Sequence, residues 1–407
     1  MARAGRVARS VRRPIRGGRD RARQLLLVAT VALIAVACAA PIGTPGSTSQ
    51  VQLVSSTVVG GYHVDFYRNL AYPCSISGYQ TFAIGYRDGQ PADAPRPLWV
   101  KMHGGGVGYF DSTGAPQPDD QFMREESSAA LVGQGAGPGL IELVRNDPAA
   151  FRILAVSMCD RDLYGGGGLP DPNNPNRQPD GSVITTNGLF ATKAAIQVAM
   201  SHFTTTKVFL HGGSAGSAGS YSVAWALQEQ GTPVAGIVAD SYVLNQEWLQ
   251  ATFDQDVPCP GRSAANGNAA AVRPRLHPAI ADIANEPDKL VADGRLTVPI
   301  AQVWSRGDFL SCGQEPMMCP LRDGTSKTMG SVNCQNEPMR RAIAAQGPAS
   351  RSVSFKLCVD DPSRPTEPDP CDRHVVTEIA GTNTAPNAPA DYNAAILSWV
   401  HTRLTDP

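Results

Sequence analysis

A serine in the middle of the chain stands in a pattern that could support nucleophilic chemistry. Residues 212–216 read Gly-Gly-Ser-Ala-Gly, which fits G-x-S-x-G, the turn that exposes a serine between a strand and a helix. Only small side chains fit two positions before and after such a serine, because the strained turn is crowded there. Neither Ser217 nor Ser220 has glycine on both sides at this spacing. The pattern therefore predicts Ser214 as a nucleophile for acyl transfer.

Acyl transfer also needs backbone N–H donors for the oxyanion, and a second glycine-rich segment could supply them. Residues 103–106 read His-Gly-Gly-Gly and directly follow residues 97–102, an apolar segment typical of a buried strand. This is the position and composition of the second oxyanion loop in chains that carry the G-x-S-x-G turn. The N–H of Ala215, directly after the serine, points toward the same reacting centre.

The serine further requires a base and a carboxylate that orients it, and both should follow late strands. Asp308 follows the apolar strand that ends near Trp304, so it is the first candidate for the carboxylate, and Asp240, after an earlier strand, is the alternative. His374 lies between the last predicted strand and the last predicted helix, where the base is expected. Other histidines precede the serine, adjoin a proline or lie within predicted elements: His63, His202, His211, His277 and His401.

Strand and helix patterns alternate along the chain, and these elements must position the candidate residues. Strands are predicted over residues 56–67, 80–86, 97–102, 152–158, 207–210, 234–239, 298–304 and 353–358. Helices are predicted within residues 121–145, 192–203, 217–229 and 388–404. The alternation predicts the α/β class, with a mostly parallel sheet and helices on both faces. Three long loops, residues 160–185, 253–274 and 311–337, are expected near the carboxyl edge of that sheet.

Together these motifs resemble the pectin acetylesterase and notum-type carboxylesterase branch of the α/β-hydrolases. The shared features are the glycines at 104–106, Ser-Ala-Gly in the central turn, Ala-Asp-Ser at 239–241 and a cysteine three residues before His374. They lie within roughly residues 95–380. His103 precedes the glycines, as in the hormone-sensitive-lipase type, and Val-Gly follows them where pectin acetylesterases often have Trp-Cys.

The resemblance implies the α/β-hydrolase fold and a role for each candidate residue. Ser214 looks like the nucleophile, Asp308 the orienting acid and His374 the base. The oxyanion donors implied by the resemblance are the N–H groups of Gly105, Gly106 and Ala215. These features predict an exported serine hydrolase that cleaves carboxylic esters through an acyl-enzyme, and the family adds deacetylation of a polysaccharide.

Two other functions are compatible with the same residues. A Ser-His-Asp triad can serve a peptidase or amidase, and the fold can persist in an inactive surface binding protein. The chemistry requires no metal and no organic cofactor, and its partner is a small-molecule or polysaccharide ester. With 35 basic and 36 acidic residues, the chain shows no charge excess that would indicate a nucleic-acid partner.

The first forty residues have the features of an export signal. Nine arginines between residues 3 and 23 precede an apolar segment, residues 25–37, that is too short for a relaxed membrane span. Small residues around Cys38 permit cleavage, and the cysteine offers the alternative of a lipoprotein signal in which it is lipidated. The main rival to both is an uncleaved membrane anchor. Residues 41–55 are expected to be a linker and residues 56–407 the catalytic domain. The mature protein is then either secreted or anchored at the outer face of the membrane.

Cysteine usage agrees with export. Eight cysteines follow Cys38, an even number that is consistent with up to four disulfides in an oxidising compartment. They are Cys74, Cys159, Cys259, Cys312, Cys319, Cys334, Cys358 and Cys371. For Cys371, which precedes the candidate base, two partners are considered: Cys358, which would close a short ring, or a cysteine within residues 311–337.

Overall fold

The computed structural model describes residues 40–117, 123–171, 173–245, 272–308, 316–320, 324–360, 371 and 373–406. The predicted export signal with Cys38, and nearly all of the predicted loop over residues 253–274, lie outside these residues. The described residues belong to one compact unit that begins at Ala40. Within it, no helix is long and apolar enough to cross a membrane.

A nine-stranded sheet organises this unit. In chain order its strands are β1 (Val51–Val59), β2 (Tyr62–Pro73), β3 (Tyr79–Arg87), β4 (Arg96–Met102), β5 (Arg152–Val156), β6 (Thr205–Gly213), β7 (Gly236–Asp240), β8 (Ile300–Ser305) and β9 (Val353–Leu357). Across the sheet they are ordered β1-β2-β3-β5-β4-β6-β7-β8-β9. The pairs from β1 to β5 along this order are antiparallel, and all pairs from β5 to β9 are parallel. The strands predicted from residue 80 onward are confirmed, with boundaries that differ by at most three residues.

Helices cover both faces of this sheet. They are α1 (Ser128–Ala136), α2 (Leu140–Asn146), α3 (Gly188–His202), α4 (Ala215–Glu229), α5 (Pro278–Ala281), α6 (Pro287–Ala292), α7 (Ser331–Gln346) and α8 (Tyr392–Leu404). Successive strand residues point to opposite faces, so Leu98 and Val100 enter one apolar core and Trp99 the other. The first core packs against α3, α4, α6 and α7, and the second against α2 and α8. The predicted α/β class, with a mostly parallel sheet and helices on both faces, is confirmed.

Short elements connect the larger ones. Two-stranded pairs are formed by Tyr109–Phe110 with Pro116–Gln117, Leu169–Pro170 with Thr185–Thr186, Pro316–Pro320 with Ser326–Gly330, and Val359–Asp360 with Thr382–Asn383. Single 3-10 turns are Arg273–Arg275, Ile283–Asn285, Pro348–Ser350 and Val376–Glu378. The two predicted long loops that the structure describes in part, 160–185 and 311–337, therefore contain local structure.

The structure differs from the sequence predictions before residue 150. The single strand predicted over residues 56–67 is a hairpin of β1 and β2, because Gly60 and Gly61 adopt left-handed φ values of 57° and 77°. The predicted linker over residues 41–55 contributes to the fold, since Ile42 is buried in a core and β1 begins within that segment. The helical pattern over residues 121–145 is divided into α1 and α2, with Gly-Pro-Gly between them.

Three disulfides join described cysteines. They are Cys74–Cys159, Cys319–Cys334 and Cys358–Cys371. The last pairing is the first of the two alternatives considered for Cys371, while Cys259 and Cys312 lie outside the described residues. Disulfides persist where thiols are not kept reduced, so the three fit an extracellular or otherwise oxidising environment.

Candidate active site

Ser214 occupies the turn between β6 and α4, at the carboxyl edge of the parallel strands. It has φ 54° and ψ −121°, a strained conformation for a residue with a side chain, which persists only where surrounding contacts enforce it. The glycines of the motif allow the turn. A Cβ on Gly212 would overlap the backbone of Gly216, and a Cβ on Gly216 would overlap the carbonyl of Met102. The G-x-S-x-G pattern thus forms the predicted strand-to-helix turn.

His374 and Asp308 form a hydrogen-bonded pair near the same edge. Nδ1 of His374 lies 2.7 Å from Oδ2 of Asp308, whose side chain is fully buried. Because a carboxylate accepts, Nδ1 carries the proton, and Nε2 is the basic nitrogen when the ring is neutral. Burial lowers the pKa of His374, but the charge and hydrogen bond of Asp308, with the charges of Asp240 and Glu378, raise it overall above its usual value.

The loop that carries His374 packs against the turn that carries Ser214. A Cβ on Gly213, directly before the serine, would be 2.7 Å from Cγ1 of Val375, directly after the histidine. Asp308 follows β8 and His374 follows β9, so the three predicted residues come from three parallel strands and approach one edge of the sheet. This edge is where open α/β sheets bind their ligands.

The predicted oxyanion loop also lies beside Ser214. A Cβ on Gly104 would be 2.9 Å from Cβ of the serine and 3.6 Å from its Oγ, so the close approach depends on glycine. Gly105 and Gly106 have φ values of 138° and 72°, which residues with side chains rarely adopt. Ala215 is the first residue of α4, whose amino terminus carries partial positive charge. The three predicted donors therefore belong to a loop and a helix end that both adjoin the serine.

An ion pair that the sequence analysis missed supports this glycine loop. Nε2 of His103 lies 3.1 Å from Oε1 of Glu126, and its Nδ1 lies 2.6 Å from the carbonyl oxygen of Gly104. Both ring nitrogens face acceptors, so the protonated imidazole donates twice. Burial opposes both charged forms, but the attraction between them raises the pKa of His103 and lowers that of Glu126 overall. Glu126 belongs to no motif, so no sequence signal identified it.

Asp240, the alternative candidate for the orienting carboxylate, has other partners. Its Oδ2 accepts hydrogen bonds from the N–H and the hydroxyl of Thr377, each at 2.6 Å, and its Oδ1 accepts the hydroxyl of Ser241 at 2.7 Å. Asp308, by contrast, contacts the imidazole directly. The other histidines considered bond elsewhere: His63 to Ser56, His202 to Tyr67, His211 to Thr377, His277 to the carbonyl of Ala40 and His401 to Asp147.

A second ion pair missed from the sequence lies beside the serine turn. Nζ of Lys101, which is buried in β4, lies 2.6 Å from Oε1 of Glu378, whose side chain is 40% exposed. A Cβ on Gly213 would be 3.2 Å from the same carboxylate oxygen. Burial raises the pKa of Glu378, but Lys101, followed by His103 and His374, lowers it overall. A negative charge therefore lies beside the turn. Glu378, which carries it, is separated from Lys101 by 277 positions in the sequence.

The described site contains the groups that acyl transfer requires. It has a hydroxyl on a strained turn, an imidazole held by a carboxylate, and backbone N–H groups at a glycine loop and a helix end. Within the described ranges, no group of three His, Cys, Asp or Glu side chains could hold a metal ion. The strand order, the parallel pairs from β5 to β9 and the strand-to-helix turn after β6 are those of the α/β-hydrolase fold.

Solved structures of esterases are similar to this chain at low sequence identity. A thermostable esterase from Pseudomonas putida is 12% identical, covers 93% of this chain and 89% of its own, and has a TM-score of 0.43. Carboxyl esterase 2 from the fungus Tuber melanosporum is 15% identical, with 81% and 87% covered and a TM-score of 0.43. An S-formylglutathione hydrolase from Agrobacterium tumefaciens is 12% identical, with 75% and 89% covered and a TM-score of 0.39. No family model and no curated protein matches the chain.

Proposed function

We propose that this protein is a serine hydrolase that cleaves carboxylic esters, with Ser214 as nucleophile, His374 as base and Asp308 as the residue that orients the base. One observation carries the proposal. It is the 2.7 Å hydrogen bond between Nδ1 of His374 and the buried carboxylate of Asp308, beside the turn in which Ser214 is strained. An imidazole fixed in this way next to a strained serine is what nucleophilic acyl transfer needs.

In the proposed reaction, Nε2 of His374 removes the hydroxyl proton of Ser214 while Oγ attacks the ester carbonyl. The carbonyl oxygen gains negative charge, which the N–H groups of Gly105, Gly106 and Ala215 stabilise. The imidazolium then gives its proton to the departing alcohol, and an acyl-enzyme remains. Water, activated by the same imidazole, attacks the acyl group and releases the acid. No step draws on a metal or an organic cofactor.

Among esters, we propose acetyl groups on a polysaccharide as the substrate, on the strength of the sequence resemblance to pectin acetylesterases. The same residues also support amide hydrolysis, so the substrate class needs its own test. A panel of esters of increasing acyl length, their matched amides and acetylated glycans separates the classes. Preferential turnover of amides would indicate a peptidase or amidase, and no turnover of any member would indicate a binding protein.

We further propose that the protein acts outside the cytoplasm, where the three disulfides among the described residues would persist. The predicted signal allows two mature forms, a secreted one beginning near Ala39 and one anchored through a lipidated Cys38. Mass spectrometry of the native amino terminus distinguishes the two forms. An intact Met1 together with reduced cysteines would contradict both.

Replacement of Ser214 tests the catalytic proposal, with Ser217 as a matched control. Both side chains are buried within one turn of each other, and the hydroxyl of Ser217 has no hydrogen-bond partner among the described residues. Ser214→Ala should lower kcat on a chromogenic ester by up to about a million-fold. Ser217→Ala should keep the parental kcat, and both variants should keep the parental Tm. Near-parental turnover by Ser214→Ala would refute the assignment.

A further inference from the structure

Asp240 and Ser241, at the end of β7, contact both strands that lead to the proposed nucleophile and acid. The carbonyl of Asp240 accepts the N–H of Ser214 at 2.9 Å, and the N–H of Ser241 donates to the carbonyl of Val303 in β8 at 2.9 Å. Both side chains are buried. Ser241 has a φ of 78°, a conformation that surrounding contacts must hold. The pair is therefore rigidly connected to β6 and to β8.

The side chain of Ser241 also reaches the loop of the proposed base. Its hydroxyl donates to Oδ1 of Asp240 at 2.7 Å, which leaves its lone pairs free to accept the N–H of Val375 at 3.0 Å. Val375 directly follows His374 and has a φ of 59°. A single hydroxyl thus fixes the peptide on the carboxyl side of the imidazole, where the backbone is itself strained.

The second carboxylate oxygen of Asp240 fixes the same loop two residues further on. It accepts the N–H and the hydroxyl of Thr377, each at 2.6 Å. Having donated its only proton, the Thr377 hydroxyl accepts Nε2–H of His211 at 2.9 Å. Burial, and then the charge of Lys101, hold the pKa of His211 well below its usual value, so this ring is neutral. The network therefore runs from β6, through the base loop, to β7.

We propose that Asp240 and Ser241 are positioning residues, which fix the backbone after His374 and so hold its imidazole between Asp308 and Ser214. They contact no reacting atom, and the inference rests on the proposed function because it requires His374 to be the base. The physical reason is the steep dependence of proton transfer on geometry, since a misplacement of about 1 Å can cost about 100-fold in rate. Loss of either contact leaves the fold in place and gives the imidazole a wider range of positions.

Ser241→Ala tests this inference, with Ser157→Ala as the matched control. Ser157 is also buried, and its hydroxyl donates to Gln80 at 3.0 Å and accepts the N–H of Thr81 at 2.9 Å. Each variant therefore removes a hydroxyl that donates one hydrogen bond to a side chain and accepts one from a backbone N–H. Ser241→Ala should lower kcat roughly 10- to 100-fold with little change in KM. Ser157→Ala should lower Tm by a similar amount and should keep the parental kcat. Equal kcat values for the two variants would overturn the inference.

Thr377 provides a second measurement that does not depend on the folding of the Ser241 variant. Thr377→Val removes the hydroxyl at nearly constant volume, whereas Thr377→Ser keeps it. We expect kcat to fall in the valine variant and to recover in the serine variant, at similar KM. Equal kcat in the valine and serine variants would show that the hydroxyl does not position the base.

Ser214→Ala separates the failure of this inference from the failure of the proposed function. If Ser214→Ala abolishes turnover and Ser241→Ala behaves like Ser157→Ala, the inference fails and the proposed function stands. If Ser214→Ala retains parental turnover, both fail, because no base then needs positioning. Abolished turnover in Ser214→Ala, together with a selective loss of kcat in Ser241→Ala, supports both.

Discussion

The two loops that flank Ser214 are held by different kinds of contact. The loop of His374 is fixed by hydrogen bonds from its own N–H and hydroxyl groups to Ser241 and Asp240 and by the disulfide Cys358–Cys371. The glycine loop is supported by an ion pair between two titratable side chains, His103 and Glu126. An ion pair with histidine is strong only while the imidazole is charged, whereas a disulfide is indifferent to pH near neutrality. We therefore expect the two sides of the site to respond differently to substitution, reduction and pH.

The disulfide supports the acid as well as the base. The carbonyl of Cys371 accepts the N–H of Gly307 at 2.9 Å and the hydroxyl of Ser305, both just before Asp308. Cys371 lies three residues before His374. One cysteine therefore connects the acid loop, the base loop and the end of β9, so its removal should affect the geometry of the acid–base pair.

The largest effect on the base side is expected from Asp308→Asn. Loss of the carboxylate removes the group that orients His374, so kcat should fall by about 10,000-fold. The imidazole must be neutral to accept a proton, and its raised pKa predicts that parental kcat/KM rises with pH through a midpoint above the usual 6.5. In the variant, the residual activity should rise with pH through a lower midpoint than in the parent, because the Asp308 charge that raises this pKa is gone.

Asp147→Asn is the control for this variant. The carboxylate of Asp147 is also buried and lies 2.7 Å from a histidine nitrogen, Nε2 of His401, but this pair joins the end of α2 to α8 and includes none of the candidate site residues. Its replacement should leave kcat and the pH profile unchanged. A comparable loss of kcat in both variants would contradict the role of Asp308. So would a pH profile of kcat/KM in Asp308→Asn with the same midpoint as in the parent.

A smaller effect on the base side is expected from removal of the Cys358–Cys371 disulfide. The double alanine variant should lose roughly 10-fold or more in kcat, because the base and acid loops shift. Removal of Cys319–Cys334 should leave kcat unchanged. The two rings have sequence separations of 13 and 15, so each removal should cost a similar stability, about 3 kcal/mol in the chain-entropy model. Measurements of kcat and of urea unfolding check both expectations.

Reduction of the parental protein gives the same comparison without substitution. Activity should be lost at a lower reductant concentration than the circular dichroism signal, because positioning of the base is more sensitive than global stability. Loss of activity and of circular dichroism in one transition would contradict a local role for the disulfide.

Glu126→Gln weakens the support of the glycine loop. We expect it to have the smallest effect on kcat and the clearest effect on the pH dependence of Tm. The pKa of His103 is raised, so its contribution to stability is complete below 6.5 and is lost as pH rises through the folded value. The pKa of Glu126 is lowered, so its contribution is present above 4.5 and is lost as pH falls through the folded value. The Tm difference between parent and variant should therefore be largest between pH 4.5 and pH 6.5 and should shrink at alkaline pH.

Glu125→Gln is the control on the neighbouring residue. Glu125 pairs with Arg68, which keeps its charge throughout this range, so the Tm difference should not shrink at alkaline pH. In Glu126→Gln, kcat should fall by less than about 10-fold, since the donors themselves remain. A Tm difference for Glu126→Gln that is constant from neutral to alkaline pH would show that the ion pair does not support the loop.

The sequence alone identifies the candidate site residues but not the residues that hold them in place. Ser214 belongs to a local spacing, and Asp308 and His374 to a chain order, so a single sequence identifies them as candidates. Their supports join residues that no spacing rule connects: Glu126 is 23 residues from His103, and Thr377 is 137 residues from Asp240. Such contacts arise only when the strands are assembled.

The parallel sheet could be predicted for a related reason. Its buried strands are continuous apolar segments between helical patterns, which a single sequence displays directly. The hairpin at Gly60 and Gly61 is a different case, because its glycine pair is a local signal that the strand patterns on either side obscured. Residues 41–55 have a linker-like composition, yet β1 begins among them, since pairing with β2 outweighs local composition.

Covalent labelling tests whether Ser214 is a nucleophile that His374 activates. The parental protein is treated with a fluorophosphonate, digested and mapped by mass spectrometry. One adduct is expected, on Ser214, with labelling that is slowed in His374→Ala and unaffected in Ser217→Ala. An adduct on Ser217 or another residue, or the absence of any adduct on a preparation that hydrolyses esters, would contradict the role of Ser214 as the nucleophile.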